Sequence, residues 1–83
     1  MKVRDVMMER FLVIIEQGEQ GYGAYAPDLP GCVAVGDTCE EVEQSMREAI
    51  KMHLQGMAED QEPIPTPHTS AEYMDIALPD SAA

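Results

Sequence analysis

The first half of the chain carries apolar patterns typical of three short strands. The β-branched apolar run from Phe11 to Ile15 favours a buried strand. A turn with two glycines occupies residues 17–21, and Tyr22–Ala26 fits the second strand of an antiparallel hairpin. Cys32–Val35 predicts a third short strand, which Gly36 ends. These residues therefore predict a small antiparallel sheet.

A helical pattern follows directly. Thr38 and Glu41 fit the Ser/Thr-x-x-Glu capping box, and Asp37 with Glu40 is an alternative cap. Beyond the cap, apolar positions recur at helical spacing on one face. They are Val42, Met46, Ala49, Ile50, His53, Leu54 and Met57. We therefore predict one long helix with a single face for packing.

The remaining residues predict a return of the chain to the sheet. Pro63 disfavours helical geometry at Glu62, so the helix should end near Asp60. The proline-rich segment 63–67 predicts a stiff, extended return path. Apolar and polar residues then alternate from Tyr73 to Leu78, which favours a half-buried strand.

The predicted order is therefore β-β-β-α-β. It indicates an α+β fold in which a small antiparallel sheet carries one long helix on one face. We divide the chain into an N-terminal arm at residues 1–10, a domain at residues 11–78 and a tail at residues 79–83. A single core in a chain of 83 residues usually supplies only about 3–5 kcal/mol. We therefore expect a homo-oligomer, a dimer or a tetramer, that covers exposed strand edges.

The net charge of the chain limits the classes of partner that it can bind. Five basic and sixteen acidic residues give a formal net charge of −11. Such a surface repels phosphate, which disfavours direct nucleic-acid binding, and it steers the chain toward basic partners. A simpler alternative is that the acidic charge only maintains solubility. The longest apolar run is too short for a signal sequence or a membrane span, so we expect a cytoplasmic protein with reduced thiols.

Candidate catalytic and metal-binding groups are sparse. Zinc ligation by Cys32, Cys39, His53 and His68 would need the connector to fold back, and the cysteines fit small buried apolar residues instead. We interpret His53, on the apolar helix face, as a core or interface histidine. The sequence shows no phosphate-binding glycine loop, and we expect no cofactor and no catalytic residue.

A magnesium-dependent nuclease is a further alternative. Such a site needs several carboxylates that converge from the interior of strands. The interior of the first predicted strand carries no acid, and Glu16, Asp28 and Asp75 lie at a strand end, in a turn and on the last strand. The sequence therefore disfavours this alternative.

Four segments, in this order and spacing, resemble the HicB family of antitoxins. The resemblance covers residues 11–78. The segments are Ala26–Cys32, then Gly36-Asp37-Thr38 followed by Glu40 and Glu41, then Glu48-Ala49-Ile50, and then Pro63–Pro67. Within them we assign mainly structural roles in turns and the helix cap to Pro27, Leu29, Pro30, Gly31, Gly36, Asp37 and Thr38.

The resemblance implies both a fold and a function. HicB-like domains have a partial, catalytically inactive RNase H-like fold, and they bind a small basic HicA toxin, a ribonuclease, so as to cover its active site. By this resemblance we expect an antitoxin that occludes a HicA-like partner. The candidate partner-binding residues are Asp28, Glu40, Glu41, Glu43 and Glu48. The alternative for these glutamates is a solvated helix face.

The chain also departs from the family pattern. Many HicB-like proteins carry a C-terminal DNA-binding segment, and the residues up to Ala83 leave no room for one. We therefore expect no direct DNA binding by this domain. A solitary, self-associating domain with a regulatory or structural role and no toxin is the alternative function.

Overall fold

The computed structural model describes residues 8–80 and has the predicted α+β architecture. Three strands, β1 (Ile14–Gly18), β2 (Gly21–Tyr25) and β3 (Val33–Gly36), are followed by one helix, α1 (Cys39–Glu59). The antiparallel sheet has the order β1-β2-β3, so β1 and β3 are its two edges. Within the described residues, no helix is both long and apolar enough to cross a membrane. Most of the predicted N-terminal arm lies outside the described residues.

The hairpin extends further into polar sequence than we predicted. β1 pairs with β2 from Ile14 opposite Tyr25 to Gly18 opposite Gly21. The first strand therefore begins three residues after Phe11, and residues 17, 18 and 21 of the predicted turn are paired. The physical reason is that a two-residue connection sets the register, whereas an apolar run only indicates which residues need burial.

The ends of α1 agree with the local signals in the sequence. The hydroxyl oxygen of Thr38 accepts a hydrogen bond from the backbone N–H of Glu41 at 3.1 Å, which confirms the predicted cap. At the other end, the N–H groups of Gln61 and Glu62 donate to the carbonyls of Ala58 and Met57 at 3.1 and 2.8 Å. This pattern is a Schellman motif, with Gln61 at φ 60° in the left-handed position.

The core forms where the loop between β2 and β3 meets the helix. The N–H of Leu29 donates to the carbonyl of Ala26, and the N–H of Cys32 donates to the carbonyl of Leu29, both at 3.0 Å. These bonds fold the loop inward, and the Leu29 side chain is completely buried in a cluster with Val42 and Met46 of α1. The helix contacts β3 and β2 more extensively than β1. The sheet therefore carries its helix off-centre.

Two glycines of the same region occupy positions that disfavour any residue with a side chain. Gly31 has φ +86°, a left-handed conformation that favours glycine. A Cβ on Gly36 would lie 3.0 Å from the backbone nitrogen of Val42 and 3.2 Å from Cβ of Glu41. The absence of a side chain at Gly36 thus allows β3 to approach the first turn of α1.

The predicted fourth strand is wrong for the single chain. Residues 73–78 form no strand, and their side chains are exposed. Alternating sequence indicates that a segment has an apolar face, but a strand also needs a sheet edge beside it. Within the described residues, the segment has no strand partner.

The approach of β3 to α1 predicts opposite effects of alanine at two glycines. Gly36→Ala should destabilise the fold by about 1–3 kcal/mol, because helix backbone has to move away from the new methyl group. Gly56→Ala, at an open helical position, should stabilise it by about 0.5–1 kcal/mol. Urea unfolding followed by circular dichroism measures both. Equal effects of the two substitutions would contradict the close approach.

Candidate partner-binding site

The four candidate glutamates lie exposed on α1. Glu40 and Glu41 are in the first helical turn, where carboxylates interact favourably with the helix dipole. Glu43 and Glu48 follow on the same helix and are also exposed. The exposure of these four side chains leaves their carboxylates accessible to a partner.

The beginning of the helix carries most of this negative charge. Lys51 lies three residues after Glu48 on α1 and Arg47 lies four residues after Glu43, and both basic side chains are exposed. Gln44 donates a hydrogen bond to the Glu48 carboxylate at 3.1 Å, which leaves Glu48 partly occupied within its own helix. The segment from Asp37 to Glu43 holds four carboxylates ahead of Arg47, the first basic residue of the helix, and we call it the acidic helix start.

The side chain of Cys39 lies against this surface. Its Sγ is 3.8 Å from Oε2 of Glu43. Desolvation, with the nearby carboxylates of Glu43 and Glu40, raises the pKa of the Cys39 thiol. The thiol therefore stays protonated at neutral pH, which suits a small apolar residue and disfavours a nucleophile.

Asp28 occupies a different environment from the glutamates. Its side chain is 1% exposed, and it binds residues 68 and 69, forty positions away in sequence. The backbone N–H groups of His68 and Thr69 donate to Oδ2 at 3.0 and 3.1 Å. The Thr69 hydroxyl donates to Oδ1 at 2.5 Å, and Nε2 of His68 lies 3.2 Å from the same oxygen. We call this arrangement the Asp28 tether.

The donors of the tether stabilise the ionised form of Asp28. The Thr69 hydroxyl contributes most to a pKa that lies below the ordinary carboxyl value, and burial opposes it. The backbone N–H groups of His68 and Thr69, with the charge of His68, lower the pKa further. The His68 ring is largely exposed, so its ion pair adds little beyond the backbone bonds.

The tether gives Asp28 an internal role that the sequence did not reveal. We predicted Asp28 as a partner-binding residue, and contact with a partner stays a prediction. The sequence carried one indirect signal, the stiff segment Pro63–Pro67, which was predicted to lead the chain back to the sheet. Neither His68 nor Thr69 lies in a sequence motif that would identify it as the hydrogen-bond partner of a carboxylate.

Cys32 and His53 do not form a nucleophilic pair. Cys32 and His53 line one shallow depression beside β3. Cys32 is buried, and burial raises the pKa of its thiol, which keeps the sulfur protonated. Across residues 8–80, no three Asp, Glu, His or Cys side chains converge on a common point that would hold a metal ion.

Comparison with known proteins identifies the family. Residues 11–80 match the family of HicB-like antitoxins of bacterial toxin–antitoxin systems. The chain belongs to this family. The HicB-like match includes the sheet, α1, the Asp28 tether and the exposed segment after it, so these features all lie within the family domain.

Individual relatives support the assignment. The chain is 34% identical over 74 residues to Antitoxin HicB 2 of Photorhabdus laumondii, covering 89% of this chain and 52% of the relative. It is 39% identical over 62 residues to a protein of Haemophilus phage HP1, covering 75% of this chain and 47% of that protein. This HicB-like chain thus spans about half the length of these two relatives.

Shorter relatives and a solved structure complete the comparison. A UPF0150 protein of Synechocystis is 33% identical over 66 residues, which cover 78% of this chain and 84% of that protein. The fold matches a chain of a solved HicA3–HicB3 toxin–antitoxin complex with a TM-score of 0.62 and 25% identity. The match covers 72% of this HicB-like chain and 70% of that chain.

The Asp28 tether predicts a local effect of substitution. Asp28→Asn removes the charge and replaces one acceptor oxygen with an NH2 donor, so the donors of residues 68 and 69 compete for the one oxygen that remains. We expect amide hydrogen exchange at His68 and Thr69 to accelerate roughly tenfold, while amides in the middle of α1 keep their protection. Exchange measured by NMR near neutral pH tests this. Unchanged exchange at both residues would contradict the tether.

The lowered pKa of Asp28 predicts how the tether depends on pH. Its contribution is complete above the ordinary carboxyl pKa and is lost as pH falls through the lowered value of the folded state. The amide resonance of Thr69 should report a midpoint below the ordinary value. Thr69→Val removes the strongest donor, so the midpoint should move up toward that value. A midpoint that does not change in Thr69→Val would assign the shift to another group.

Proposed function

We propose that this HicB-like chain is an antitoxin that binds a small basic HicA-type ribonuclease toxin and covers its active site. Its family supports a role in a toxin–antitoxin system. The observation that carries the proposal is the likeness in fold to a chain of a HicA3–HicB3 complex. The net charge of −11 complements a basic partner.

The acidic helix start is the proposed centre of contact. Glu40, Glu41 and Glu43 are exposed on the first turns of α1, so they can pair with lysine or arginine side chains without a change in fold. Charges at such a surface mainly accelerate association and select the partner. In this mechanism the antitoxin performs no chemistry and acts by steric and electrostatic occlusion.

We propose a smaller role for Asp28 in partner binding than for the glutamates. Because its carboxylate is buried in the tether, direct pairing with a toxin would compete with the donors of residues 68 and 69. Among the described residues, the side chains of Glu40 and Glu41 have no such internal donor, and Glu48 accepts only from Gln44 of its own helix. We therefore place the charge contribution on the helix and treat Asp28 as the residue that orders the neighbouring loop.

A solitary regulatory domain without a toxin is the second candidate. The observation that favours it is that the matched region covers 84% of the Synechocystis relative, so a HicB-like domain makes up most of that protein. Co-expression with the product of a neighbouring small basic reading frame distinguishes the two functions. A co-purifying complex and restored growth support the antitoxin. The absence of both results supports the solitary domain.

The role of the acidic helix start can be tested by charge reversal. Glu40→Lys with Glu43→Lys should weaken the toxin complex at least about tenfold, because like charges then face a basic surface. Glu59→Lys with Glu62→Lys changes the net charge by the same amount at the other end of α1 and serves as the control. Calorimetric titration at two salt concentrations measures both. Equal losses in the two variants would indicate a general charge effect and exclude a local contact.

A further inference from the structure

The segment after the Asp28 tether belongs to no helix or strand and exposes apolar side chains at alternate positions. Met74, Ile76 and Leu78 are each between 73% and 76% exposed, and they alternate with Tyr73, Asp75 and Ala77. Alternation places these three side chains on one side of an extended segment. We call residues 71–78 the arm.

The tether fixes where the arm leaves the body. His68 and Thr69 are bound to the buried carboxylate of Asp28, and the arm begins two residues later. The chain is 64 Å along its longest axis and 28 and 27 Å along the others. The 21 residues of α1 span only about 31 Å. These dimensions fit an arm that stands away from the folded body.

The same chain also has an incomplete sheet edge. β1 pairs with β2 on one side, and within the described residues its other side has no strand partner. Because the helix lies mainly over β3 and β2, Phe11, Val13 and Ile15 contact the core but remain only half-buried. This outer edge of β1 therefore presents unpaired backbone groups beside a partly covered apolar face.

We propose that the arm of one copy pairs as a strand with the outer edge of β1 in a second copy, and that the exchange is reciprocal. Met74, Ile76 and Leu78 would then lie over Phe11, Val13 and Ile15 and complete the core beneath the helix. This one interaction would bury the apolar face of the arm and pair the free backbone groups at the outer edge of β1. Reciprocal exchange closes a two-fold dimer and leaves neither arm free.

The other sheet edge is a poorer acceptor. β3 has four residues, and its last residue, Gly36, lies against the first turn of α1. Its apolar side chains Val33 and Val35 are exposed, which indicates that they face away from the helix. A strand added there with its apolar face outward would cover those two valines but would not complete the core.

Charge distinguishes this dimer from a toxin complex. Both copies carry a net charge of −11, so they repel each other, and the dimer depends on apolar burial and backbone pairing. Added salt screens this repulsion, since the Debye length falls from about 10 Å at 0.1 M to about 3 Å at 1 M. The dimer should therefore strengthen with salt, whereas a complex with a basic partner should weaken. The self-association does not rest on the proposed antitoxin function.

The experiment uses the full chain and two substitutions that add the same charge. Light scattering and sedimentation should show a dimer at micromolar concentration. Ile76→Asp should raise its dissociation constant at least tenfold, and Ala77→Asp, on the opposite side of the arm, should change it less than threefold. Circular dichroism confirms that α1 is intact in both. A monomer throughout, or equal effects of the two substitutions, would overturn the proposal.

Isotope-filtered NMR on a mixture of labelled and unlabelled chains identifies the acceptor. We expect intermolecular contacts between the methyl groups of Ile76 and those of Val13 and Ile15. Contacts of Ile76 with Val33 and Val35 would overturn the assignment to β1. Contacts with Val13 inside one chain would show that the arm folds back on its own sheet, and they would overturn the exchange.

Discussion

The burial of Leu29 is the constraint on which the rest of the fold depends. A loop that turns inward places this side chain between the sheet and the apolar face of α1, in contact with a core whose other fully buried members are Val42 and Met46. The sheet is too small to bury an apolar face alone, and the helix has one packing stripe. The loop therefore supplies the side chain that joins the two layers.

The same loop extends this constraint to the end of the chain. Asp28 is adjacent to Leu29, and the inward turn of the loop buries its carboxylate as well. A buried carboxylate needs donors, and residues 68 and 69 supply them through two backbone N–H groups and a hydroxyl. The path of the chain after the helix is thus determined by a loop that precedes the helix.

Local features of the fold were predictable from the sequence, and long-range ones were not. Thr38 and Pro63 act on the backbone beside them, so the limits of α1 followed from neighbouring residues. The first strand was misplaced because Phe11–Ile15 indicates burial without determining a register. Tyr73–Leu78 has the alternation of a strand, but strand formation depends on an edge elsewhere. The role of Asp28 depends on a contact across forty residues, which no local pattern encodes.

The small core links the amount of folded protein to the concentration of whatever binds it. A single core of this size usually supplies at most about 3–5 kcal/mol, and at such a stability on the order of one molecule in a thousand is unfolded at any moment. A ligand of the folded state at a hundred times its dissociation constant adds about 2.7 kcal/mol. Degradation that proceeds through the unfolded state would then slow by roughly a hundredfold. Partner supply would thereby set the lifetime of the chain as well as its state of association.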